Sequence, residues 1–336
     1  MSDPKLTLIL ASPYGWQDLA LALPGIQAQT MAKDIELLII AKPGAYPDDL
    51  NDRISGLHSV RVVEAESFAP RNACVARAIP EARAPYFAPH ENHAYAEPET
   101  YETLVNAMTE ETGCLAPVYH VLNSYAPWGC AVSVITHGHA AAPVSGERTP
   151  VLALHSAVYP TKLLIPRAEE FGDEAKLHRT LYEEGYHVGF LPGTVLWHME
   201  AGNAAMAFAV TQILGRQFGW ARSKDWGWPE RILRAAAYPA IAAISAKRYL
   251  LKLLELKDTQ HMKFRLIPHV GMLAATFAYG EVRGYFTFRN PWPEWADWHE
   301  YEFLERLEGA PKPDRRSLID AVARFNDPIP AQTAAE

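Results

Sequence analysis

Three short runs of Leu, Ile and Val near the start of the chain constrain the fold more than any other feature. They lie at Lys5–Leu10, Ile35–Ile40 and Val60–Val63, and such runs are typical of strands buried on both faces of a parallel sheet. Parallel strands need a crossover between them, and Asp18 is placed to cap a helix after the first run, with Pro24 expected to kink it. The sequence therefore predicts an α/β domain that begins with a βαβ unit.

The alternation of strands and helices continues beyond these runs, which favours a layered, mostly parallel sheet. The further predicted elements are a helix over Arg71–Ala78, a strand over Tyr86–Ala88, a helix from Pro98, a helix over Asp173–Gly185, and strands over Val188–Leu191 and Thr194–His198. Prolines and glycines between Thr112 and Thr149 predict irregular loops and short strands there. After residue 203 the pattern is mostly helical.

The length of 336 residues exceeds one average domain. We expect an α/β domain over 1–203, a helical appendage over 204–290, and a Trp- and Pro-rich segment with a flexible tail over 291–336. This division assigns the chemistry to the first domain.

Charge and cysteine content exclude some partners. The net charge of -8 provides no basic field to attract nucleic acid. The three cysteines have no paired spacing, which fits a reducing compartment. The first apolar run is read as a strand rather than a signal peptide, and no run reaches the ~20 residues of a spanning helix. We expect a cytoplasmic protein, either free or peripheral to the inner face of the membrane.

Polar residues follow the fourth predicted strand. Glu91, Asn92 and His93 come directly after it, and ligands of open α/β sheets gather at the carboxyl ends of strands. A carboxylate and an imidazole at this edge can bind a metal ion, and a polar strand end without metal is the alternative.

These features resemble, in order and spacing, the family-2 glycosyltransferases, which have the GT-A fold. The resemblance covers about residues 5–203. The matching pieces are Ser12-Pro13-Tyr14 after the first strand, Gln29-Thr30 at a helix end, Arg71-Asn72 before an Ala-containing helix, Glu91-Asn92-His93 in place of an Asp-x-Asp motif, Phe171-Gly172-Asp173-Glu174 at a helix start, and Gly193 to His198 in the last core strand.

The resemblance implies a divalent metal site and a catalytic base. Glu91, His93 and His198 are the implied ligands of Mn²⁺ or Mg²⁺, with imidazole favouring Mn²⁺ or later transition metals. Glu174 is the implied base, with Asp173 beside it in the same acidic motif and also placed to cap the helix. We expect the groups at positions 91, 93 and 198 to converge beside Glu174 around one cleft.

The resemblance also implies a nucleotide-sugar donor and a glycan or lipid-linked hydroxyl acceptor. The implied donor-binding residues are Pro13, Tyr14, Lys42, Arg71, Asn72 and Asn92. Lys42 stands where the family usually has an acidic residue, so it is interpreted either as a phosphate contact or as a solvated loop lysine. The predicted reaction is an inverting sugar transfer.

The appendage has a second possible contact. Arg231 to Lys263 combines an Ala- and Leu-rich face with several basic residues, a composition expected of a helix on an anionic membrane surface. An amphipathic helix packed on the core is the alternative.

Three other classes of protein are alternatives. A non-catalytic GT-A scaffold that binds a nucleotide sugar or a protein partner is the alternative that the altered motifs favour. A dinucleotide-dependent oxidoreductase lacks its Gly-x-Gly-x-x-Gly sequence here, and a serine hydrolase lacks its Gly-x-Ser-x-Gly elbow. Both of these are set aside.

Overall fold

The computed structural model describes residues 3–12, 19, 22–66, 68, 71–141, 144, 147–150, 156–256 and 259–288. The predictions that concern Pro13, Tyr14, Asp18 and residues 291–336 lie outside these residues. Two compact units are present: unit 1 comprises the described residues within 1–120 and 144–198, and unit 2 those within 121–143 and 199–299. Segment 121–143 therefore belongs to the second unit rather than to the first.

Unit 1 is built on a five-stranded sheet in the order β3-β2-β1-β4-β7. Its strands are β1 (Leu6–Ala11), β2 (Ile35–Ala41), β3 (Ser59–Glu64), β4 (Tyr86–His90) and β7 (Tyr159–Pro160). Every residue of β1 and β2 is buried, as the apolar runs predict. All pairs are parallel except β4 with β7. The predicted α/β class with a mostly parallel sheet is confirmed.

The strand order creates a crevice at one edge of this sheet. From β1 the chain adds β2 and β3 on one side and then β4 on the other, and such a switch point leaves a crevice at the carboxyl ends of the two central strands. Ser12 follows β1 there, and Glu91 follows β4. The topology therefore places Glu91 where ligands bind in open α/β sheets.

A second sheet of unit 1 has the order β5-β8-β6. Its strands are β5 (Ala94–Ala96), β6 (Thr112–Val121) and β8 (His187–His198). β5 and β8 are antiparallel, with Ala94 opposite His198. Because only three residues separate β4 from β5, this pairing brings the end of β8 to the turn at residues 91–93.

Among the described residues, the α-helices of unit 1 have at most 10 residues, whereas unit 2 has three α-helices of 18 residues or more. Those of unit 1 are α1 (Ala22–Gln27), α2 (Leu50–Arg53), α3 (Arg71–Ala78), α4 (Thr100–Asn106), α6 (Thr161–Leu164) and α7 (Glu174–Glu183). Those of unit 2 are α5 (Pro127–Thr136), α8 (Ala204–Arg222), α9 (Trp228–Ala236), α10 (Tyr238–Glu255) and α11 (Lys263–Tyr285). The helical pattern predicted after residue 203 is confirmed.

Helices α8 and α11 pack backbone to backbone. A Cβ added at Gly219 would overlap the carbonyl oxygen of Glu281, and one added at Gly284 would overlap that of Arg216. Glycines four residues apart on one face of a helix leave room for a second helix backbone to approach this closely. This contact forms the core of unit 2.

Three sequence predictions about local structure are wrong. Segment 112–149 was expected to be irregular, yet it contains β6 and α5, because Pro127 lies in the first turn of α5 and starts that helix rather than breaking it. The two strands expected between 188 and 198 are one strand, since the positive φ of Gly193 turns the chain without ending it. The helix expected over 231–263 is interrupted at Ala237, because Pro lies in the first turn of α10.

Candidate metal and base site

The turn between β4 and β5 brings three of the predicted residues together. Glu91, His93 and His198 are each at most 6% exposed, and one ligand atom from each lies within 4.8 Å of the others. We call these three residues the Glu91 cluster. Their convergence follows from the pairing of Ala94 with His198, because that pair places the last residue of β8 beside the residue that precedes β5.

A single carboxylate oxygen is the centre of the Glu91 cluster. Nε2 of His198 lies 2.8 Å from Oε2 of Glu91, and Nε2 of His93 lies 3.6 Å from the same oxygen. The two imidazole rings meet edge to face, with their centroids 4.7 Å apart. Both Nε2 atoms therefore point towards one carboxylate oxygen.

Asn92 fixes the orientation of the His93 ring. Its Oδ1 lies 2.9 Å from Nδ1 of His93, and an amide oxygen only accepts hydrogen bonds, so Nδ1 carries the proton and donates it. The lone pair is then on Nε2, the atom that points towards Glu91. A metal-binding histidine is usually oriented by such a bond from its other nitrogen.

The donor set of the Glu91 cluster fits a divalent transition metal. Bonds of about 2.0–2.2 Å from a metal to imidazole nitrogen and carboxylate oxygen place neighbouring ligand atoms about 2.8–3.6 Å apart, from octahedral to tetrahedral geometry. The observed separations of 2.8 and 3.6 Å lie at the two ends of that range. Two imidazoles with one carboxylate favour Mn²⁺ or a later metal over Mg²⁺, which prefers oxygen ligands.

Glu174 lies at the first position of α7. Asp173 is the N-cap, and its Oδ1 accepts a hydrogen bond from the backbone N–H of Lys176 at 3.3 Å. The predicted capping role of Asp173 is confirmed. Asp173 is exposed, whereas Glu174 is only 2% exposed. The two neighbouring acids therefore have different environments.

The carboxylate of Glu174 accepts hydrogen bonds from two neutral side chains. Nδ2 of Asn72 donates to Oε2 at 3.2 Å, and the hydroxyl of Tyr159 donates to Oε1 at 2.7 Å. Nε2 of His178 lies 2.8 Å from the same hydroxyl oxygen. We call these four residues the Glu174 cluster. Asn72 thus contacts the candidate base, and its role in donor binding stays a prediction.

Tyr159 and His178 are not among the predicted site residues. His178 lies four residues after Glu174 on α7, a spacing that puts both on one helix face, so a search of that face would have found it. Tyr159 lies on β7, opposite Phe87 of β4, and only the tertiary structure brings it to Glu174. No local sequence signal identifies it.

Burial determines the protonation of these neighbours. It lowers the pKa of His178 from 6.5 to about 3, so the imidazole is neutral at physiological pH. Burial also raises the pKa of Tyr159 well above its usual value, with smaller contributions from Cys114 and Glu174. The pKa of the Cys114 thiol is raised for the same reason. All three groups are therefore uncharged around Glu174.

The two clusters occupy different positions along β4. Tyr159 of the Glu174 cluster pairs with Phe87 of β4. Glu91 comes four residues after Phe87, a separation of at most about 13 Å in an extended chain. The structure thus brings positions 91, 93 and 198 together and places Glu174 in a second group of side chains.

Of the remaining predicted donor residues, the structure describes the side chains of Lys42 and Asn92. Lys42 is exposed just after β2. Asn92 is buried and holds His93. Arg71 starts α3, but its side chain, like Pro13 and Tyr14, lies outside the described residues. Their roles in donor binding stay predictions.

No protein-family model matches this sequence, and no curated protein matches it. Similar solved structures include the mannosyltransferase PcManGT from Pyrobaculum calidifontis in complex with GDP-Man and Mn²⁺, with 14% identity and a TM-score of 0.46 over 97% of this chain and 88% of that chain. TarS from S. aureus in complex with UDP has 14% identity and a TM-score of 0.43 over 85% of this chain and 93% of that chain. GalNAc-T7 with UDP, GalNAc and Mn²⁺ has 13% identity and a TM-score of 0.46 over 67% and 52%. Similarities this weak carry no argument about activity.

Proposed function

We propose that the chain is a metal-dependent glycosyltransferase of the GT-A type that transfers a sugar from a nucleotide-sugar donor to a hydroxyl acceptor with inversion. The observation that carries this proposal is the buried Glu91 cluster at the switch point of a mostly parallel sheet. The resemblance of the sequence motifs to family-2 glycosyltransferases supports it, because the Glu91 motif falls at the end of β4 and the Glu174 motif at the start of α7.

Glu91, His93 and His198 would hold the divalent ion. When bound, such an ion supplies positive charge that stabilises the leaving diphosphate. The protein contributes ligand atoms that already face one another and, through Asn92, a fixed ring orientation for His93. This preorganisation lowers the cost of assembling the site at the moment of reaction.

Glu174 would accept the proton of the acceptor. The acceptor oxygen forms a bond to the anomeric carbon while the bond from that carbon to the diphosphate oxygen breaks. The electron pair leaves with the nucleoside diphosphate, and the acceptor proton moves to Glu174. Because Glu174 is 2% exposed, an acceptor reaches it only after neighbouring side chains move, so acceptor binding and local rearrangement are coupled in this proposal.

A membrane surface is the partner we propose for unit 2, with a lipid-linked hydroxyl compound as acceptor. Of the exposed large apolar side chains in the described part of the chain, only Ile165 belongs to unit 1. Those of α9 and α10 include Trp228, Ile232, Leu233, Ile244, Leu251 and Leu254. Lys247 and Arg248 are exposed on α10, and basic residues beside apolar ones favour an anionic lipid surface. None of the described helices is long and apolar enough to span a bilayer.

Vesicle sedimentation tests this partner. Leu233→Glu is expected to reduce binding to vesicles that contain anionic lipid, whereas Ile165→Glu, an exposed apolar residue of unit 1, is the matched control and should bind like the wild type. Equal binding by the wild type and Leu233→Glu would remove the membrane proposal while leaving the reaction untouched.

The proposed reaction is tested by screening nucleotide sugars for release of nucleoside diphosphate, with Mn²⁺ and with a chelator. We expect release that requires the metal and falls in Glu174→Gln. If no nucleotide sugar is turned over under either condition, the catalytic proposal fails.

The burial of Glu174 favours one alternative, a scaffold that binds a nucleotide sugar or a protein partner without turnover. Thermal unfolding separates the two functions. Mn²⁺ with a nucleoside diphosphate should raise the melting temperature of the wild type but not of Glu91→Ala, because a ligand that binds only the folded state stabilises it. That result without any turnover would support the scaffold.

A further inference from the structure

The hydrogen bonds of Tyr159 have a defined direction. The phenol has one proton, and the hydrogen bond at 2.7 Å runs from the Tyr159 hydroxyl to Oε1 of Glu174. The contact of 2.8 Å between the Tyr159 oxygen and Nε2 of His178 must then be donated by the imidazole. The order of donation is His178 to Tyr159 to Glu174.

The environment of the other imidazole nitrogen favours the same direction. Nδ1 of His178 is buried and has no hydrogen-bond partner among the described residues. If Glu174 were protonated and donated to Tyr159, the phenol would donate to Nε2 and the imidazole proton would move to Nδ1. A buried N–H without an acceptor costs free energy, so the reversed chain is penalised.

We propose that Tyr159 and His178 are positioning residues that orient the carboxylate of Glu174 and keep it ionised for proton transfer. This inference rests on the proposed function, in which Glu174 is the base. His178 acts only through Tyr159, because its contact is with the phenol oxygen. Its ring is stacked on Tyr159 with an interplanar angle of 6°, which holds the donor nitrogen in place.

Side chains from at least four elements contribute to the electrostatic setting of Glu174. Tyr159 faces it from β7, His178 from the same helix, Asn72 from α3, and Cys114 from β6 acts on it through its contact with Tyr159. The low pKa of His178 and the high pKa of Tyr159 keep both groups neutral over the working range of pH. A change in the pH–rate profile near neutrality is therefore a property of the carboxylate that they hold.

The test is a comparison of pH–rate profiles. In Tyr159→Phe, the pH below which kcat falls is expected to rise by about 1 unit. At pH values below this acid limb, kcat should be about 10-fold lower than in the wild type, and above the limb it should recover. His178→Phe should shift the limb in the same direction by less, and His178→Gln, which keeps an N–H donor, should restore it. The double variant Tyr159→Phe with His178→Phe should match Tyr159→Phe alone.

Tyr285→Phe in unit 2 is the matched control. The Tyr285 hydroxyl donates to Oε1 of Glu281 at 2.7 Å and is buried, so its removal deletes the same kind of bond elsewhere. We expect a lower melting temperature but no shift of the limb. The proposal would be overturned if the effects of Tyr159→Phe and His178→Phe on kcat added up in the double variant. It would also be overturned if the acid limb of kcat lay at the same pH in the wild type and in Tyr159→Phe. Either result would leave these residues only a structural role.

An infrared titration keeps this inference separable from the reaction. In protein labelled with ¹³C at glutamate carboxyl groups, with Glu174→Gln used to assign the band, the carboxylate of Glu174 should become protonated at higher pH in Tyr159→Phe than in the wild type. If no turnover is found in any assay, the proposed function fails, and this titration alone decides whether the chain keeps Glu174 ionised. Identical titrations of the Glu174 carboxylate in the wild type and in Tyr159→Phe would reject the proposal that Tyr159 keeps it ionised.

Discussion

Two buried glutamates of unit 1 differ in the partners that surround them. Glu91 faces two imidazoles, whose nitrogens lie 2.8 and 3.6 Å from one of its oxygens. Glu174 faces a phenol and an amide, one on each oxygen. Imidazole can exchange its contact with a carboxylate for a metal ion, whereas hydroxyl and amide donors stabilise a carboxylate as it is. The difference predicts a metal ligand at Glu91 and a proton acceptor at Glu174.

The largest expected effect is on the free energy of unfolding, through the neutral imidazole of His178 in the Glu174 cluster. Because the pKa of His178 is lowered from 6.5 to about 3, the unfolded chain binds this proton between those values and the folded chain does not. Stability should therefore fall as the pH decreases through this window and level off below it, by up to about 5 kcal/mol for this group. Urea unfolding at a series of pH values should show a flatter dependence for His178→Phe.

A packing variant controls for that measurement. Phe171→Leu alters the ring packed against Tyr159 but does not titrate, so it should lower the whole stability curve and keep its shape. If His178→Phe behaves in the same way, the imidazole is not held neutral by the fold.

The second effect separates the roles of the two glutamates. Glu174→Gln keeps the shape of the side chain and removes the base, so kcat should fall by about 10²–10⁴-fold. Mn²⁺ affinity, measured by calorimetry, should equal that of the wild type. A large loss of metal affinity in Glu174→Gln would mean that the two clusters form one site, and the separate roles of the two glutamates would be rejected.

The third effect concerns two asparagines with the same side chain and different partners. Asn92→Ala removes the acceptor that orients His93, and loss of such a contact typically costs about 10–100-fold in metal affinity. Asn72→Ala removes a donor to Glu174 and should leave Mn²⁺ affinity unchanged. Equal metal affinities in the two variants would argue against the orienting role of Asn92.

The smallest effect compares the two neighbouring acids at the start of α7. Asp173→Ala removes the N-cap and should cost about 1 kcal/mol of unfolding free energy. Asp173→Asn keeps a side-chain oxygen and should lose much less. Chemical denaturation measures both, and a similar loss in both variants would mean that charge at the helix start, rather than the cap, stabilises α7.

The sequence predicts the core of the fold because its central strands are continuous apolar runs. β1 and β2 are buried throughout, as short runs rich in Leu and Ile predict for strands of a parallel sheet. It also predicts that position 198 belongs with 91 and 93, although only through a family resemblance. The antiparallel pairing of Ala94 with His198 explains this proximity, and residues about a hundred positions apart give no local sign of it.

Other features depend on tertiary context. Pro127 would break a helix only in its interior, and here it lies in the first turn. Tyr159 is found only through its pairing opposite Phe87. The expected convergence of Glu174 with the Glu91 cluster stays a prediction, whereas the hydrogen bond between Glu174 of α7 and Tyr159 of β7 is a feature that only the tertiary structure shows.

The most direct test of the account is magnetic resonance of Mn²⁺ added to the purified protein. We predict hyperfine couplings from the nitrogens of two imidazoles, one of which disappears in His93→Gln and the other in His198→Gln, with no change in Glu174→Gln. Mn²⁺ that binds without nitrogen couplings, or that does not bind above the level of Glu91→Ala, would contradict the central claim.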